Sequence, residues 1–192
     1  MISKDILKQV LASNQKDVEH YKVIPRTLPS DDFPRRVFVG VRRTGKSFML
    51  YQKIQQMLAA GHGWDDMLYI SFEDDRLAQF ETTDFEGILE AHSEMYGKRP
   101  MLFLDEAQNI DGWEKFARRL ADAKYSVWIT GSNAKMLSSE VMTTLGGRYL
   151  TTEVYPYSFL EFLKVESVPY DRVSLLATET RATVLRTWNE YL

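Results

Sequence analysis

The segment GVRRTGKS at residues 40–47 constrains the fold of this chain more than any other part of the sequence. It lies between a short apolar run, RVFV, and a segment whose apolar residues fall along one side of a helix. It matches the pattern G-x-x-x-x-G-K-[ST], in which backbone amides surround a phosphate at the start of a helix. The segment therefore predicts a buried strand, a phosphate-binding loop and a helix, in that order.

The candidate phosphate-binding residues are Gly40, Val41, Arg42, Arg43, Thr44, Gly45, Lys46, Ser47 and Phe48. The glycines let successive backbone amides turn inward around an anion, and the positive end of the helix dipole points to the same place. Lys46 would contact the β and γ phosphates, and Ser47 would offer its hydroxyl to Mg²⁺. Arg42 and Arg43 are explained equally well as phosphate or partner contacts and as solvated surface charges.

Short apolar runs alternate with helical segments over the rest of the chain. The predicted strands are Val37–Val39, Met67–Phe72, Met101–Leu104, Val127–Thr130 and Tyr149–Val154. The predicted helices between them are Lys46–Ala60, Thr83–Tyr96, Trp113–Ala123 and Ala134–Leu145. A capping box of Thr83 and Glu86 would open the second of these helices. Because most of the strands are apolar on both faces, the pattern predicts an α/β fold with a parallel sheet between helices.

Two regions flank this alternating core. An amphipathic segment with Ser3 as its N-cap precedes three prolines that break regular structure. After Pro156 the sequence returns to helical periodicity. We therefore expect an N-terminal helix at 1–20, an extended linker at 21–35, the phosphate-binding core at 36–155 and a C-terminal helical segment at 156–192.

Two carboxylates follow the third predicted strand, in the segment MLFLDE at residues 101–106. Side chains at the carboxyl end of a parallel strand face the same crevice as the phosphate-binding loop. Asp105 has the position of a Walker B metal ligand, and Glu106 could activate a water molecule as a general base. The alternative is an ordinary solvated turn, which becomes less attractive once the phosphate-binding loop is considered with it.

Two further polar residues are candidates for catalysis. Asn133, or Ser132 beside it, ends the fourth strand, where it could contact the γ-phosphate or the attacking water; the alternative is a helix N-cap. Arg148 precedes the fifth strand and could stabilise transition-state charge, in its own subunit or across a subunit boundary. A surface arginine at a strand edge explains Arg148 nearly as well.

Composition excludes several other classes of protein. The 192 residues carry 24 Lys and Arg against 27 Asp and Glu, so no overall basic field attracts nucleic acid. The chain has no cysteine, which excludes disulfides, thiol nucleophiles and cysteine-ligated metal sites. No window approaches the length of an uncharged apolar membrane span. We therefore expect a cytoplasmic protein without a membrane segment.

Together these motifs resemble one prokaryotic family of ATPases in the AAA superfamily. The matching residues are Gly40, Arg42, Arg43, Gly45, Lys46 and Ser47; Asp105, Glu106, Ala107 and Gln108; Thr130–Asn133; and Gly147, Arg148, Pro156, Ser158, Phe159, Glu161 and Phe162. The resemblance covers about residues 20–192. It implies a three-layer P-loop core with strand order 5-1-4-3-2, and ATP with Mg²⁺ as the bound nucleotide.

The resemblance also bears on partners. In this family the ATPase module usually precedes a C-terminal domain, and Trp188–Leu192 resembles the point at which members continue into it. It thus implies a chain that lacks this domain and acts on an unknown protein or nucleic-acid partner. An oligomer is allowed but not required.

Three functions are compatible with these residues. The first is a Mg²⁺-dependent ATP hydrolase, and the second is a nucleotide-dependent switch with little or no turnover. The third, a kinase for small molecules, is less favoured. That fold generally needs an arginine-bearing lid, and Tyr125–Leu150 offers only Arg148.

Overall fold

The structure is a computed structural model that describes residues 2–132, 136 and 138–191. Its central feature is a five-stranded sheet in which every neighbouring pair of strands is parallel. The strands are β1 (Arg35–Gly40), β2 (Met67–Ser71), β3 (Met101–Asp105), β4 (Val127–Ser132) and β5 (Leu150–Glu153). Their spatial order is β2-β3-β4-β1-β5, which confirms the predicted order 5-1-4-3-2 read from the other edge.

Helices connect these strands, as the alternation of the sequence predicts. In chain order they are α1 (Lys4–His20), α2 (Lys46–Ala59), α3 (Phe85–Tyr96), α4 (Trp113–Asp122), α5 (Ser139–Leu145), α6 (Phe159–Val165) and α7 (Thr178–Tyr191). Of the predicted helix Ala134–Leu145, Met136 and the part from Ser139 are helical, and residues 134, 135 and 137 lie outside the described residues. The predicted α/β class is confirmed.

The strands β1 to β4 are buried on both faces because they carry apolar side chains in both directions, whereas the edge strand β5 is largely exposed. In β3, Leu102 and Leu104 pack in the cluster that includes α1, α3 and α4, whereas Phe103 packs with α2 on the opposite face. Trp128 of β4 lies on the α2 face and is 1% exposed. This double burial is the usual reason that parallel strands are apolar throughout.

Parallel pairing brings the carboxyl ends of the strands to one edge. Gly40 pairs with Ser132, and Ser71 pairs with Asp105. The loop after β1 and the acidic pair after β3 are therefore neighbours in space although more than fifty residues separate them in sequence. In open parallel sheets this edge is where ligands bind.

The helix α1 packs into the main core. Leu7, Val10 and Leu11 are almost fully buried in the same cluster as α3 and β3. Ser3 caps the helix by accepting a hydrogen bond from the Ile6 amide at 3.3 Å, as its sequence predicts. The segment that the sequence sets apart as residues 1–20 thus shares one core with the sheet.

The start of α3 differs from the prediction. The helix begins at Phe85, and the predicted capping box of Thr83 and Glu86 does not form. A short 3₁₀ turn precedes the helix, and the Asp84 carboxylate accepts hydrogen bonds from the Glu81 amide and the Ile2 amide, both at 3.0 Å. Asp84 thus closes a capping box with Glu81 on the 3₁₀ turn and ties it to the start of the chain, while its side chain caps no amide of α3.

Residues 21–34 form neither helix nor strand, and Arg35, the last residue of the predicted linker, begins β1. The segment is held against α2 by hydrogen bonds. The Arg26 amide donates to Gln52 Oε1 at 2.9 Å, and Gln52 Nε2 donates back to the Arg26 carbonyl at 2.7 Å. The Arg26 guanidinium donates to the Thr44 carbonyl in the phosphate-binding loop at 3.1 Å. The linker is thereby tied directly to the loop.

The chain divides into two compact units, Met1–Val154 and Tyr155–Leu192. The second unit contains α6 and α7. Ser158 and Glu161 form a capping box at the start of α6, and Phe159 makes an edge-to-face contact with Trp188 of α7 at a centroid distance of 4.7 Å. Among the described residues, no helix has both the length and the apolar character needed to cross a membrane.

Candidate nucleotide-binding site

The loop between β1 and α2 has the backbone conformation that its glycines allow. Gly45 has φ 87°, in the left-handed region, immediately before the first residue of α2. Gly40 has no room for a side chain, because a Cβ there would lie 2.4 Å from the Val154 carbonyl oxygen and 2.8 Å from Thr44 Oγ1. The amides at the start of α2 are therefore presented at the carboxyl edge of the sheet, where a helix N-terminus favours an anion.

Lys46 is 4% exposed and lies inside the loop. Its ammonium donates a hydrogen bond to the Val41 carbonyl at 3.2 Å and lies 3.5 Å from Glu106 Oε1. A buried ammonium needs such partners because removing a charge from water is costly. The site thus brings the loop lysine and the second acidic residue together, as the sequence analysis expects for a phosphate site.

Asp105 is held by three hydroxyl groups. Ser47 donates to its Oδ1 at 2.9 Å, Thr130 also donates to Oδ1, and Tyr69 donates to Oδ2 at 3.0 Å. Burial raises the pKa of Asp105 to about 6, although the three hydrogen bonds oppose that shift and the neighbouring Glu106 adds to it. The carboxylate is fixed in position but is electrostatically costly while no cation lies beside it.

Glu106 has an unusual backbone conformation for a residue with a side chain. Its φ is 51°, in the left-handed region, and its amide donates to Thr130 Oγ1 at 2.9 Å. Its carboxylate lies between Lys46 and Gln108, whose Nε2 donates to Glu106 Oε2 at 2.5 Å. Such strained positions are often found at functional sites.

A cavity of about 660 Å³ opens beside these groups. Lys46, Ser47 and Glu106 line one part of it together with the exposed Arg42 and Arg43. Three aromatic rings line another part: Tyr21, Phe48 and Tyr51. Tyr21 stacks on Tyr51 with a centroid distance of 5.0 Å, and Phe48 meets Tyr51 edge-on at 5.2 Å. The cavity is large enough for a small organic ligand.

The ligand set fits Mg²⁺. Ser47 and Asp105 provide a hydroxyl and a carboxylate, which are hard oxygen ligands, 2.9 Å apart. Mg²⁺ usually takes one or two such groups from a protein and completes its shell with phosphate oxygens and water. The described residues contain no cluster of three or more His, Cys, Asp or Glu that could hold a metal.

The structure does not bring every candidate residue to this site. Arg148 precedes β5 at the amino edge of the sheet, where Leu150 pairs with Arg36, and its guanidinium donates to Asp122 at 2.7 Å. This is the edge opposite the loop, so Arg148 lies away from its own subunit's site. Asn133 lies outside the described residues.

The sequence analysis names Thr130 and Gln108 as residues of the family resemblance without giving them a role in the site, and it misses Tyr69 altogether. Each is a polar side chain buried in or just after an otherwise apolar strand. A buried hydroxyl or amide needs a hydrogen-bond partner, so its presence in such a strand is a usable signal. The sequence could have marked these residues, but the partner of each becomes visible only in the folded chain.

Comparison with known proteins identifies the family. The AAA domain family matches residues 34–163, which is about two thirds of the chain. The chain belongs to the AAA domain family. Within this AAA domain the matched range contains the phosphate-binding loop and the acidic pair, so the family and the local geometry agree. Membership, together with this geometry, supports a nucleotide-binding domain.

Two curated proteins share substantial sequence with the AAA domain. The uncharacterized protein MJ1544 of Methanocaldococcus jannaschii is 37% identical over 195 residues, which span all of this chain and 42% of that protein. An uncharacterized protein of Haemophilus influenzae is 34% identical over 135 residues, 69% of this chain and 34% of that protein. The chain thus spans less than half the length of either relative.

Solved structures share the fold at low sequence identity. The yeast (S. cerevisiae) Hsp104–ADP complex aligns with a TM-score of 0.54 and 14% identity over 87% of this chain and 24% of that chain. Cdc6p of Pyrobaculum aerophilum aligns with a TM-score of 0.50 and 18% identity over 79% of this chain and 52% of that chain. At such identities the comparison establishes the three-layer P-loop architecture.

Proposed function

We propose that this AAA domain binds ATP with Mg²⁺ and hydrolyses its β–γ anhydride. The observation that carries the proposal is the convergence of the loop and the acidic pair: Ser47 Oγ lies 2.9 Å from Asp105 Oδ1, and Lys46 Nζ lies 3.5 Å from Glu106 Oε1. A lysine, a hydroxyl and two carboxylates at a helix N-terminus are the groups that phosphoryl transfer from a nucleotide requires.

Each group has a separate task in this proposal. Lys46 and the loop amides bind the β and γ phosphates, and the lysine exchanges the Val41 carbonyl and Glu106 for phosphate oxygens. Ser47 and Asp105 would hold Mg²⁺, which supplies positive charge beside the transferred group. Glu106 orients a water molecule and accepts its proton, while Gln108 and the Thr130 hydroxyl hold Glu106. Asn133 as a γ-phosphate contact remains a prediction from the sequence.

The decisive experiment compares ATP binding and phosphate release in the unmodified chain, Lys46→Ala and Glu106→Gln. Lys46→Ala should weaken ATP binding by roughly 10- to 100-fold, because it removes a charged hydrogen-bond donor to phosphate. Glu106→Gln should keep ATP bound and slow phosphate release by roughly 100-fold or more, because the general base is lost.

The matched control is Lys98→Ala, which removes an exposed lysine that pairs with Asp65 away from the loop. It should leave both measurements unchanged. Normal hydrolysis by Glu106→Gln would contradict the role of Glu106 as the base. Normal ATP binding by Lys46→Ala would contradict the phosphate site itself.

A nucleotide-dependent switch is the second candidate, and one contact favours it. Glu106 Oε1 lies 3.5 Å from the ammonium that a phosphate would take, so phosphate binding would release one side of Glu106. The change at Glu106 could then be transmitted to a partner surface without turnover. If the unmodified chain bound ATP but neither it nor any variant released phosphate, the result would support the switch and contradict hydrolysis by this chain alone.

The partner and the assembly belong to the same proposal. We infer that the ATP cycle acts on a protein or nucleic acid in the cytoplasm, supported by the match to the AAA domain family. Arg148 lies at the opposite edge of the sheet, so a role for it in catalysis requires a second subunit. The rate of phosphate release should be measured at increasing protein concentration. A rate that rises more than in proportion to concentration in the unmodified chain, but only in proportion in Arg148→Ala, would support an oligomer.

A further inference from the structure

We infer that Tyr69 is a positioning residue for the magnesium ligand Asp105, and that Tyr51 supports it through a hydroxyl–hydroxyl hydrogen bond. The inference rests on the proposed function and adds a residue that neither the loop pattern nor the acidic pair includes. It concerns the side of Asp105 that faces away from Ser47. Tyr69 lies on the strand β2 and Tyr51 on the helix α2, so the contact joins the sheet to the helix that covers this face of it.

The geometry fixes the direction of each hydrogen bond. Tyr69 donates to Asp105 Oδ2 at 3.0 Å, and its oxygen lies 3.1 Å from the Tyr51 oxygen. A phenol has one proton to donate, so Tyr51 is the donor in the second bond. Both tyrosines are buried, with exposed fractions of 3% for Tyr69 and 8% for Tyr51. The result is a short chain of hydroxyl groups that ends on the carboxylate.

Packing alone does not hold this carboxylate. Ser47, Asp105 and both tyrosines line a second cavity, of about 280 Å³, which leaves space beside the carboxyl group. The terminal torsion of an aspartate is broad, so the plane of the group is set mainly by its hydrogen bonds. The other two donors, Ser47 and Thr130, both bind Oδ1. Tyr69 is therefore the hydroxyl that fixes Oδ2.

Fixing Oδ2 keeps Oδ1 directed at Ser47, the second oxygen of the proposed magnesium site. Without the Tyr69 hydroxyl, Oδ2 would turn towards water in the cavity. Asp105 Oδ1 and Ser47 Oγ would then no longer be held in position before Mg²⁺ binds. Hydrogen bonds that orient a metal ligand typically change metal affinity by 10- to 100-fold when they are removed. Loss of the Tyr69 hydroxyl should therefore raise the Mg²⁺ concentration that nucleotide binding requires and leave the affinity for nucleotide without Mg²⁺ unchanged.

The test is Tyr69→Phe in the full chain, with Tyr149→Phe as the matched control. Tyr149 is also buried and donates its hydroxyl to the Ala117 carbonyl at 2.7 Å, in the cluster on the other face of the sheet. Binding of a fluorescent methylanthraniloyl derivative of ATP is measured as Mg²⁺ is added. In Tyr69→Phe the Mg²⁺ concentration at half effect should rise roughly tenfold, with unchanged binding in EDTA. Tyr149→Phe should match the unmodified chain.

An equal Mg²⁺ midpoint in Tyr69→Phe and Tyr149→Phe would overturn the inference while leaving the proposed function intact. An unmodified chain that binds no nucleotide would overturn both. If Tyr69→Phe does not fold, Tyr51→Phe decides the question, because it leaves the Tyr69–Asp105 bond in place and removes only its support. Tyr51→Phe should raise the Mg²⁺ midpoint above that of Tyr149→Phe, by less than the roughly tenfold expected for loss of the Tyr69 hydroxyl. A midpoint equal to that of Tyr149→Phe would again overturn the inference.

Discussion

At the scale of single residues, Asp105 carries opposing demands. It is 3% exposed, and burial raises its pKa to about 6 despite three donated hydrogen bonds. A carboxylate with these properties lowers the stability of the free protein at neutral pH, and a bound cation would offset that loss of stability. Natural proteins often accept such costs where a side chain binds a ligand.

Asp105→Asn should therefore stabilise the nucleotide-free chain at neutral pH. Because the pKa of Asp105 is raised on folding, its contribution to stability is present below about pH 4 and is lost as the pH rises through about 6. Measured by urea unfolding in EDTA, the variant should gain about 3 kcal/mol at pH 7.5 and little at pH 4.

The matched control for this prediction is Asp122→Asn. The Arg148 guanidinium holds the pKa of Asp122 below its ordinary value, so the sign of its effect is opposite. Asp122→Asn should show no gain in stability at pH 7.5. An Asp105→Asn variant that is less stable than the unmodified chain at pH 7.5 would contradict the role given to burial.

At the scale of secondary-structure elements, α1 and the linker at residues 21–34 both contribute contacts to the domain that contains the phosphate-binding loop. The helix lies in the core with α3 and β2, and the linker binds α2 and the loop. The amphipathic pattern of α1 predicts a helix but does not say which surface it covers. The structure supplies that surface, so residues before the loop contribute to the stability of the domain that contains it.

Leu11→Ala should lower the free energy of unfolding by about 2–5 kcal/mol, because Leu11 is 1% exposed and the substitution leaves a cavity. Ile6→Ala is the control on the same helix, since Ile6 is 38% exposed and should change stability by less than about 1 kcal/mol. Both are measured by urea unfolding. If Leu11→Ala lowered the free energy of unfolding as little as Ile6→Ala does, α1 would not be part of the cooperative core.

The sequence predicts the elements of this fold better than the contacts between them. The five strands and the candidate site residues Lys46, Ser47, Asp105 and Glu106 follow from local patterns and spacing, and the fold brings these four side chains together. The Tyr69–Asp105 bond joins residues 36 positions apart, and no local pattern contains it. Spacing also leaves the role of Arg148 open, because a residue that precedes a parallel strand lies at the edge opposite to a residue that follows one. Its place fits a role across a subunit boundary or a surface arginine.

At the scale of the whole molecule, the chain consists of two compact units, and the described site residues all lie in the first, Met1–Val154. That unit contains the sheet, both faces of its core and the loop. A unit with its own core can fold alone. The proposed chemistry is therefore assigned to residues 1–154.

A fragment of residues 1–154 should unfold in a single cooperative transition and bind ATP with the affinity of the full chain. The measurements are circular dichroism during heating and binding of the fluorescent ATP derivative. Lys46→Ala in the fragment should lose binding as it does in the full chain. A folded fragment that does not bind ATP would show that residues 155–192 complete the site.

The packing of Gly40 and Gly45 has a consequence for how this family would evolve. A Cβ at Gly40 would collide with the Val154 carbonyl oxygen, and Gly45 has φ 87°, which strains any residue with a side chain. Selection for folding alone would therefore preserve both glycines in a descendant that had abandoned nucleotides. Lys46, Asp105 and Glu106, whose charges the fold must bury at a cost, would be the first to drift.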